Sequence, residues 1–297
     1  MEFINPKTDY AFKKIFGSAQ SKPILISFLN ALLYAGNSTI QDLEIINPNL
    51  PPQIEGLKDT YLDVKAKLSN GTLIIIEMQV LNVDSFGKRV LFNAAKTYAF
   101  QLQKGEGYRM LKPVIALTIT DFEMFAEQEQ LISRFIYREK DKGWNYTENE
   151  MELVFVELTK FTKKLEELET LADKWIYFIK YARSLTSIPE PFDDIPELHQ
   201  AFDIANQASL TAEELDNLER QEMFIHDQQG AIAFGRREGR QEGRQEGRQE
   251  GRQEGRQEEK YDIARNLLGQ LNDEAIAGAT GLSVETIATL RQEMTNS

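Results

Sequence analysis

Leu73-Ile74-Ile75-Ile76 is an unbroken apolar run, opened by Ser69-Asn70-Gly71 and closed by Glu77-Met78-Gln79. A β-strand turns successive side chains to opposite faces, so a run without alternation is a strand covered on both sides. Such a strand lies inside a sheet that carries helices on its faces, which argues for an α/β chain. The flanking patterns agree. Helix signals cover Thr8–Gly17 and Pro23–Tyr34, followed by strand signals at Leu43–Ile46, Tyr61–Leu68 and Thr72–Leu81. A helix from about Ser85 to Gln103 leads to a strand at Pro113–Ile119, and Ile132–Tyr137 and Leu153–Leu158 add strands at an edge. After Thr159 the pattern is helical over Leu165–Arg183, Ile195–Asn206 and Ala212–Gln229. Four regions follow: an α/β domain over 1–165, a helical extension over 166–230, a repeat over 231–259 and a small helical hairpin over 260–297. The aromatics Phe12, Phe16, Phe28, Phe92 and Phe100 read as core at helical spacing; Tyr98 and Tyr108 read as packing residues.

Glu77 is the anomaly in this strand, because a carboxylate is out of place where both faces are covered. Asp63 stands on the preceding strand, with Lys65 two residues on. Carboxylates on neighbouring strands can share a divalent cation, a common way to activate water against a phosphodiester. The turn decides whether they face one another. A two-residue Asn70-Gly71 loop sets Asp63 opposite Met78 and points the carboxylates apart. A three-residue Ser69-Asn70-Gly71 loop, with Gly71 left-handed, sets Asp63 opposite Glu77. The bland alternative is a structural salt bridge from Glu77 to Lys65 or Lys67.

Composition narrows the chemistry. The chain has no cysteine, which removes disulfides, thiolate metal sites and a cysteine nucleophile together. Its two histidines, His199 and His226, lie in a charged helical region far along the chain. Chemistry near Asp63 therefore falls to carboxylates, Lys, Tyr or a metal. The net charge of −13 is unevenly spread: residues 1–120 carry 13 Lys/Arg and 10 Asp/Glu, a net +3, leaving −16 for the rest. The segment with the acids is mildly basic and can engage a polyanion locally, without an extended basic face. The N-terminus lacks a signal-peptide pattern and the apolar runs are too short to span a bilayer, so a soluble cytoplasmic protein is expected.

Residues 235–258 are six tetrads, Gly-Arg-Arg-Glu once and Gly-Arg-Gln-Glu five times. A four-residue step is close to one helical turn, so each residue type forms a slowly drifting stripe. Equal charges at i and i+4 and a Gly in every tetrad oppose the helix, each Gly by about 1 kcal/mol relative to Ala. The run contains no apolar residue, which makes it a solvated helical rod or flexible spacer, or else an Arg stripe for nucleic acid. In the tail, Gly281-Leu282-Ser283 between apolar helical patterns resembles the turn of a helix-turn-helix. Glu285 and Arg291 are few groups for reading DNA, and a hairpin for self-association or capping is the alternative.

The chain resembles the Rpn-type recombination-promoting nucleases, also described as PD-(D/E)XK nuclease family transposases. The opening run Asn5-Pro6-Lys7-Thr8-Asp9-Tyr10-Ala11-Phe12-Lys13-Lys14-Ile15-Phe16-Gly17 carries the likeness. So do Asp63-Val64-Lys65, Ile76-Glu77-Met78-Gln79, Tyr98 with Gln101-Leu102, Lys112-Pro113-Val114-Ile115 and Phe155-Val156-Glu157-Leu158. The resemblance implies a restriction-endonuclease-like core, a mixed four-stranded sheet flanked by helices, with a helical C-terminal extension. It implies endonucleolytic cleavage of DNA with Mg²⁺, or Mn²⁺ in its place, held by Asp63, Glu77 and the Met78 carbonyl. Gln79 occupies the position where many relatives carry lysine; Lys65 is a candidate substitute, and Asp9 a further acid. Lys13, Lys14, Lys88 and Arg89 are candidates for the DNA phosphates, and a homodimer would form through the C-terminal helices. The rival expectations are a degenerate nuclease fold kept as a binding module, and an RNase or defence effector using the same site.

Overall fold

The computed structural model describes residues 1–50 and 60–295. Helix α1 (Asp9–Phe16) is capped by the Thr8 hydroxyl, which accepts from the Ala11 amide, and it buries Ala11, Phe12, Ile15 and Phe16. It stops at Gly17, where an added Cβ would lie 2.8 Å from the Lys13 carbonyl oxygen. No larger residue fits there without moving backbone. Helix α2 (Lys22–Tyr34) follows, with Pro23 in its first turn. Then come β1 (Leu43–Ile46), β2 (Asn49–Leu50), β3 (Thr60–Tyr61), β4 (Val64–Leu68), β5 (Leu73–Gln79), α3 (Phe86–Ala99), β6 (Val114–Thr120), β7 (Ile132–Phe135) and β8 (Met151–Glu157). Helices α4 (Leu171–Tyr181), α5 (Pro196–Ala205), α6 (Ala212–Leu267), α7 (Asp273–Thr280) and α8 (Val284–Thr295) complete the chain.

The main sheet has six strands in the order β1-β4-β5-β6-β8-β7. It is mixed, as expected; its four central strands are β4, β5, β6 and β8, with β5, β6 and β8 mutually parallel and β4 antiparallel to β5. One antiparallel strand is added at each border, β1 on β4 and β7 on β8. β8 is thus interior, and only β7 takes the edge on that side. As its apolar run demands, β5 is buried on both faces. Ile74, Ile76 and Met78 join the large core with α1, α2, α4 and α5, while Ile75 packs with Ala94 of α3 and Ala116 of β6.

The helices of the 166–230 extension contribute heavily to that core. Trp175 is fully buried, with ring centroids 5.9 Å from Phe16, 5.7 Å from Phe28 and 5.9 Å from Phe178. Its indole N–H donates to the Ser27 hydroxyl at 3.2 Å, so the buried polar atom is satisfied. Helix α4 begins later than the apolar pattern suggests because Thr170 and Asp173 form a capping box, each side chain accepting from the other's amide at 3.0 Å. The N-terminal segment bridges to the end of α5, the Ile4 amide donating to the Ala205 carbonyl at 2.8 Å.

Phe92 corrects the expectation of a core aromatic: it is 44% exposed, because the buried side of α3 is set by Phe86, Val90, Asn93, Ala94 and Thr97. Tyr108 is exposed as well.

The chain divides into two compact units, Met1–Gln228 and Gln229–Ser297. In the second, the tetrads are helical throughout and fully exposed. Ala264 of α6 and Leu268 just beyond its end pack with Ile276 of α7 and with Ile287 and Leu290 of α8. Arg291 is bound within this small core, donating to Asp273 at 2.9 Å and to the Leu271 carbonyl at 2.9 Å. Among the described residues no helix is long and apolar enough to cross a membrane.

Candidate active site

The three-residue turn forms. The Leu68 amide donates to the Thr72 carbonyl, Gly71 has φ +91°, and Lys67 pairs with Leu73. The register runs from there to Val64 opposite Ile76, so Asp63 and Glu77 are the next cross-strand positions. Asp63 itself lies in a bend rather than in the continuous strand expected over Tyr61–Leu68, which is split into β3 and β4. The bend turns the Asp63 carboxylate toward the end of β5, where its Oδ2 accepts from the Met78 amide at 2.7 Å.

Helix α1 completes the surroundings of Asp63. Lys13 Nζ lies 2.7 Å from Asp9 Oδ1 and 3.5 Å from Asp63 Oδ1, which sets the two carboxyl groups side by side. Burial, followed by the neighbouring Asp9 carboxyl, pushes the Asp63 carboxyl up to about 8, against the opposing pull of the Met78 amide and Lys13. Burial works in the same direction on Asp9, but its neighbours Asp63 and Lys13 prevail and hold it below the ordinary range. The pair retains a proton near neutrality.

Glu77 takes a different partner. It is 9% exposed and accepts from the Asn93 amide of α3, not from Lys65 or Lys67. Burial raises its carboxyl, opposed by Asn93 and by the Arg89 charge. The Asn93 Oδ1 atom, equally buried, has no hydrogen-bond partner. Gln79 is tied at both ends: its Nε2 donates to the Leu81 carbonyl at 2.7 Å, and its Oε1 accepts from the Arg89 guanidinium at 2.6 Å. Lys65, opposite Ile75, is half-buried, and desolvation lowers its ammonium below the usual value. Arg89 thus brings a positive charge directly onto Gln79. Lys14 pairs with Glu214 of α6, whereas Lys88 is exposed on α3.

Sequence reasoning missed Asn93. Its signal was an amide on the side of α3 that otherwise buries Val90 and Ala94.

A cleft of ≈ 400 Å³ opens at the end of β5, lined in part by Lys7, Asp9, Met78 and Gln79. Lys7 is held there by Asp121 at 2.7 Å. Among the described residues no three Asp, Glu, His or Cys side chains cluster tightly enough to enclose a metal ion. Asp63 meets Asp9 and Lys13 of α1 while Glu77 meets Asn93 of α3, so the carboxylates brought together are Asp63 and Asp9, a pair suited to a cation that keeps most of its waters. A hard cation bound through one or two carboxylates would take the place of the proton that Asp63 keeps beside Asp9 and Lys13.

The mixed sheet flanked by helices, with Glu77 near the end of its buried central strand and Asp63 in the bend before β4, is the architecture of a PD-(D/E)XK-type α/β protein. The chain belongs to the PD-(D/E)XK nuclease family transposases, whose pattern it matches over residues 6–235. No curated protein and no solved structure matches it significantly. The family is one of nucleases, which typically employ divalent metals and act on DNA.

Proposed function

We propose that the chain is a Mg²⁺-dependent endonuclease, with Mn²⁺ able to substitute, that cleaves DNA phosphodiesters in the service of recombination or mobile elements. The observation that carries this is Asp63, bent out of β4 and bonded to the Met78 amide beside Glu77. Asp63, Glu77 and the Met78 carbonyl would hold the cation, with Asp9 as a further acid. When bound, the metal supplies Lewis-acid activation of water and neutralises charge on the phosphate.

The chain's own groups divide the remaining work. Asp63 must give up its shared proton to become a full ligand, and Lys13 lies close enough to stabilise the ionised pair. Gln79 has no titratable group, so it is not the general base. With its oxygen on Arg89, it instead fixes a guanidinium near the scissile phosphate, supplying the charge that lysine provides in many relatives. Asn93 fixes the rotamer of Glu77. Lys88 is left to contact a DNA phosphate, and two copies joined through the C-terminal helices would cut both strands.

The test is plasmid cleavage by purified wild-type and Asp63→Ala proteins, each with Mg²⁺ and with EDTA. Cleavage that needs the metal and falls at least about a hundredfold in the variant supports the assignment. Equal activity from both proteins removes Asp63 from the chemistry. Inactivity of a folded wild type on DNA turns the reading to a binding module or an RNA substrate.

A further inference from the structure

The cleft beside Asp9 has a second wall, contributed by the first turns of α6, that the hydrolytic chemistry leaves unused. Arg220, Gln221 and Phe224 line it. Phe224 is 59% exposed, a large apolar ring left open in the same cleft as a catalytic carboxylate.

This wall is built into the first unit. Leu218 is buried in the main core, and the Tyr10 amide of α1 donates to Gln221 Oε1 at 3.3 Å. Glu214 is gripped by the Tyr10 hydroxyl and Lys14. The Arg220 guanidinium is exposed and meets only Asp216 of its own helix among the ion pairs of the described residues. An aromatic face and a nearby guanidinium in one cleft with Lys7 and Asp9 form a combination that receives a nucleotide: ring for base, cation for phosphate.

The geometry points to this wall as the seat of an unpaired DNA base flanking the scissile phosphate, its face on Phe224 and its adjoining phosphate at Arg220. The inference rests on the nuclease reading and narrows its substrate to DNA that offers an unstacked nucleotide: single strands, frayed ends or junctions. A cleft of ≈ 400 Å³ is the size of a pocket for one small ligand and has room for a nucleotide. Every base has a π face, so the wall is tolerant of sequence. An intact duplex would reach it only by extruding a base, at an unpairing cost that single strands avoid.

The experiment uses the full chain carrying Asp63→Asn, which stops cleavage and keeps an acceptor for the Met78 amide. Binding of one labelled oligonucleotide, as a single strand and as a duplex, is followed by fluorescence anisotropy with Phe224, with Phe224→Ala and with Phe224→Tyr. The single strand should bind more tightly than the duplex. Phe224→Ala should weaken single-strand binding about tenfold, Phe224→Tyr should restore it, and duplex binding should not change. The inference is overturned if Phe224→Ala binds the single strand like its parent, if both forms of DNA weaken equally, or if the parent binds neither form. Failure of the wild type to cleave either the plasmid or the single strand with Mg²⁺, with this binding pattern intact, removes the hydrolytic reading and leaves a base seat. Asp63-dependent cleavage with binding indifferent to Phe224 removes the base seat alone.

Discussion

β5 and the tetrad run of α6 are both regular elements of strict composition, and they stand in opposite relations to their surroundings. β5 is covered on both faces and donates or accepts along both edges, so each residue answers to several neighbours. Residues 235–258 are wholly exposed, and an added Cβ at any of their glycines meets nothing within 4 Å. The two carboxylates of greatest interest lie in or beside the first element; six glutamates of the second touch no fold-determining contact. Burial is what converts a carboxylate from a solubilising group into a perturbed, reactive one.

The sharpest way to break this contrast is Trp175→Ala. It empties a fully buried aromatic cluster beneath the sheet and should cost about 3–5 kcal/mol, read by denaturant unfolding. A loss under 1 kcal/mol would mean that the core around β5 is not the close-packed region described.

Next in size is the pH dependence of Asp63. Its folded value of about 8 lies above the ordinary 3.8, so folding favours the protonated form. The associated stability is complete below the ordinary value and is lost as pH rises to and through about 8. Without added metal, the melting temperature of wild type should fall across that window, while that of Asp63→Asn stays flatter. Mg²⁺ should recover more stability at the alkaline end, because it selects the ionised carboxylate. Parallel curves for the two proteins would refute the assignment.

Glu214→Gln should have a smaller effect, about 0.5–1 kcal/mol, since this contact between α6 and α1 is partly solvated. Its bonds with Lys14 and Tyr10 hold the carboxyl down to about 2, so its contribution is present above the ordinary 4.5 and vanishes as pH falls through about 2. Acid titration of thermal stability checks this, and an unchanged acid limb in the variant would count against it.

The smallest effect on the core is expected from Gly243→Ala. Circular dichroism should show stronger helix in the tetrad run, by about 1 kcal/mol for the substitution. Unfolding of the first unit should be unaltered, as distant sites add independently. A shift in that transition would show that the run is coupled to the core.

The parts of this architecture that local chemistry controls were legible beforehand. Thr8 and Gly17 bound α1 and the apolar run of β5 is buried on both faces, whereas the sequence left a two- or a three-residue turn open at Ser69-Asn70-Gly71 and the structure takes the second. Contacts distant in sequence were not legible. Nothing near Asp63 announces the bend that splits its strand, and nothing near Phe3 announces its ring against Phe202 at 5.0 Å. Arg89 was read as a phosphate contact and Lys65 as the stand-in cation; only the packing of α3 on the sheet shows Arg89 bound to Gln79. The 166–230 helices read as an addendum because their amphipathic pattern cannot reveal which surface they cover.

The bond from the Met78 amide to Asp63 makes one side chain both a strand terminator and a candidate ligand. Selection on such a residue has two independent grounds. A relative that had lost the proposed activity would still need an acceptor at 63 to keep the end of β5 in order. Asparagine or serine would be tolerated there far sooner than alanine. Persistence of a polar residue at this position is therefore poor evidence of retained catalysis, and an inactive homologue would pass for an active one if judged by position 63 alone.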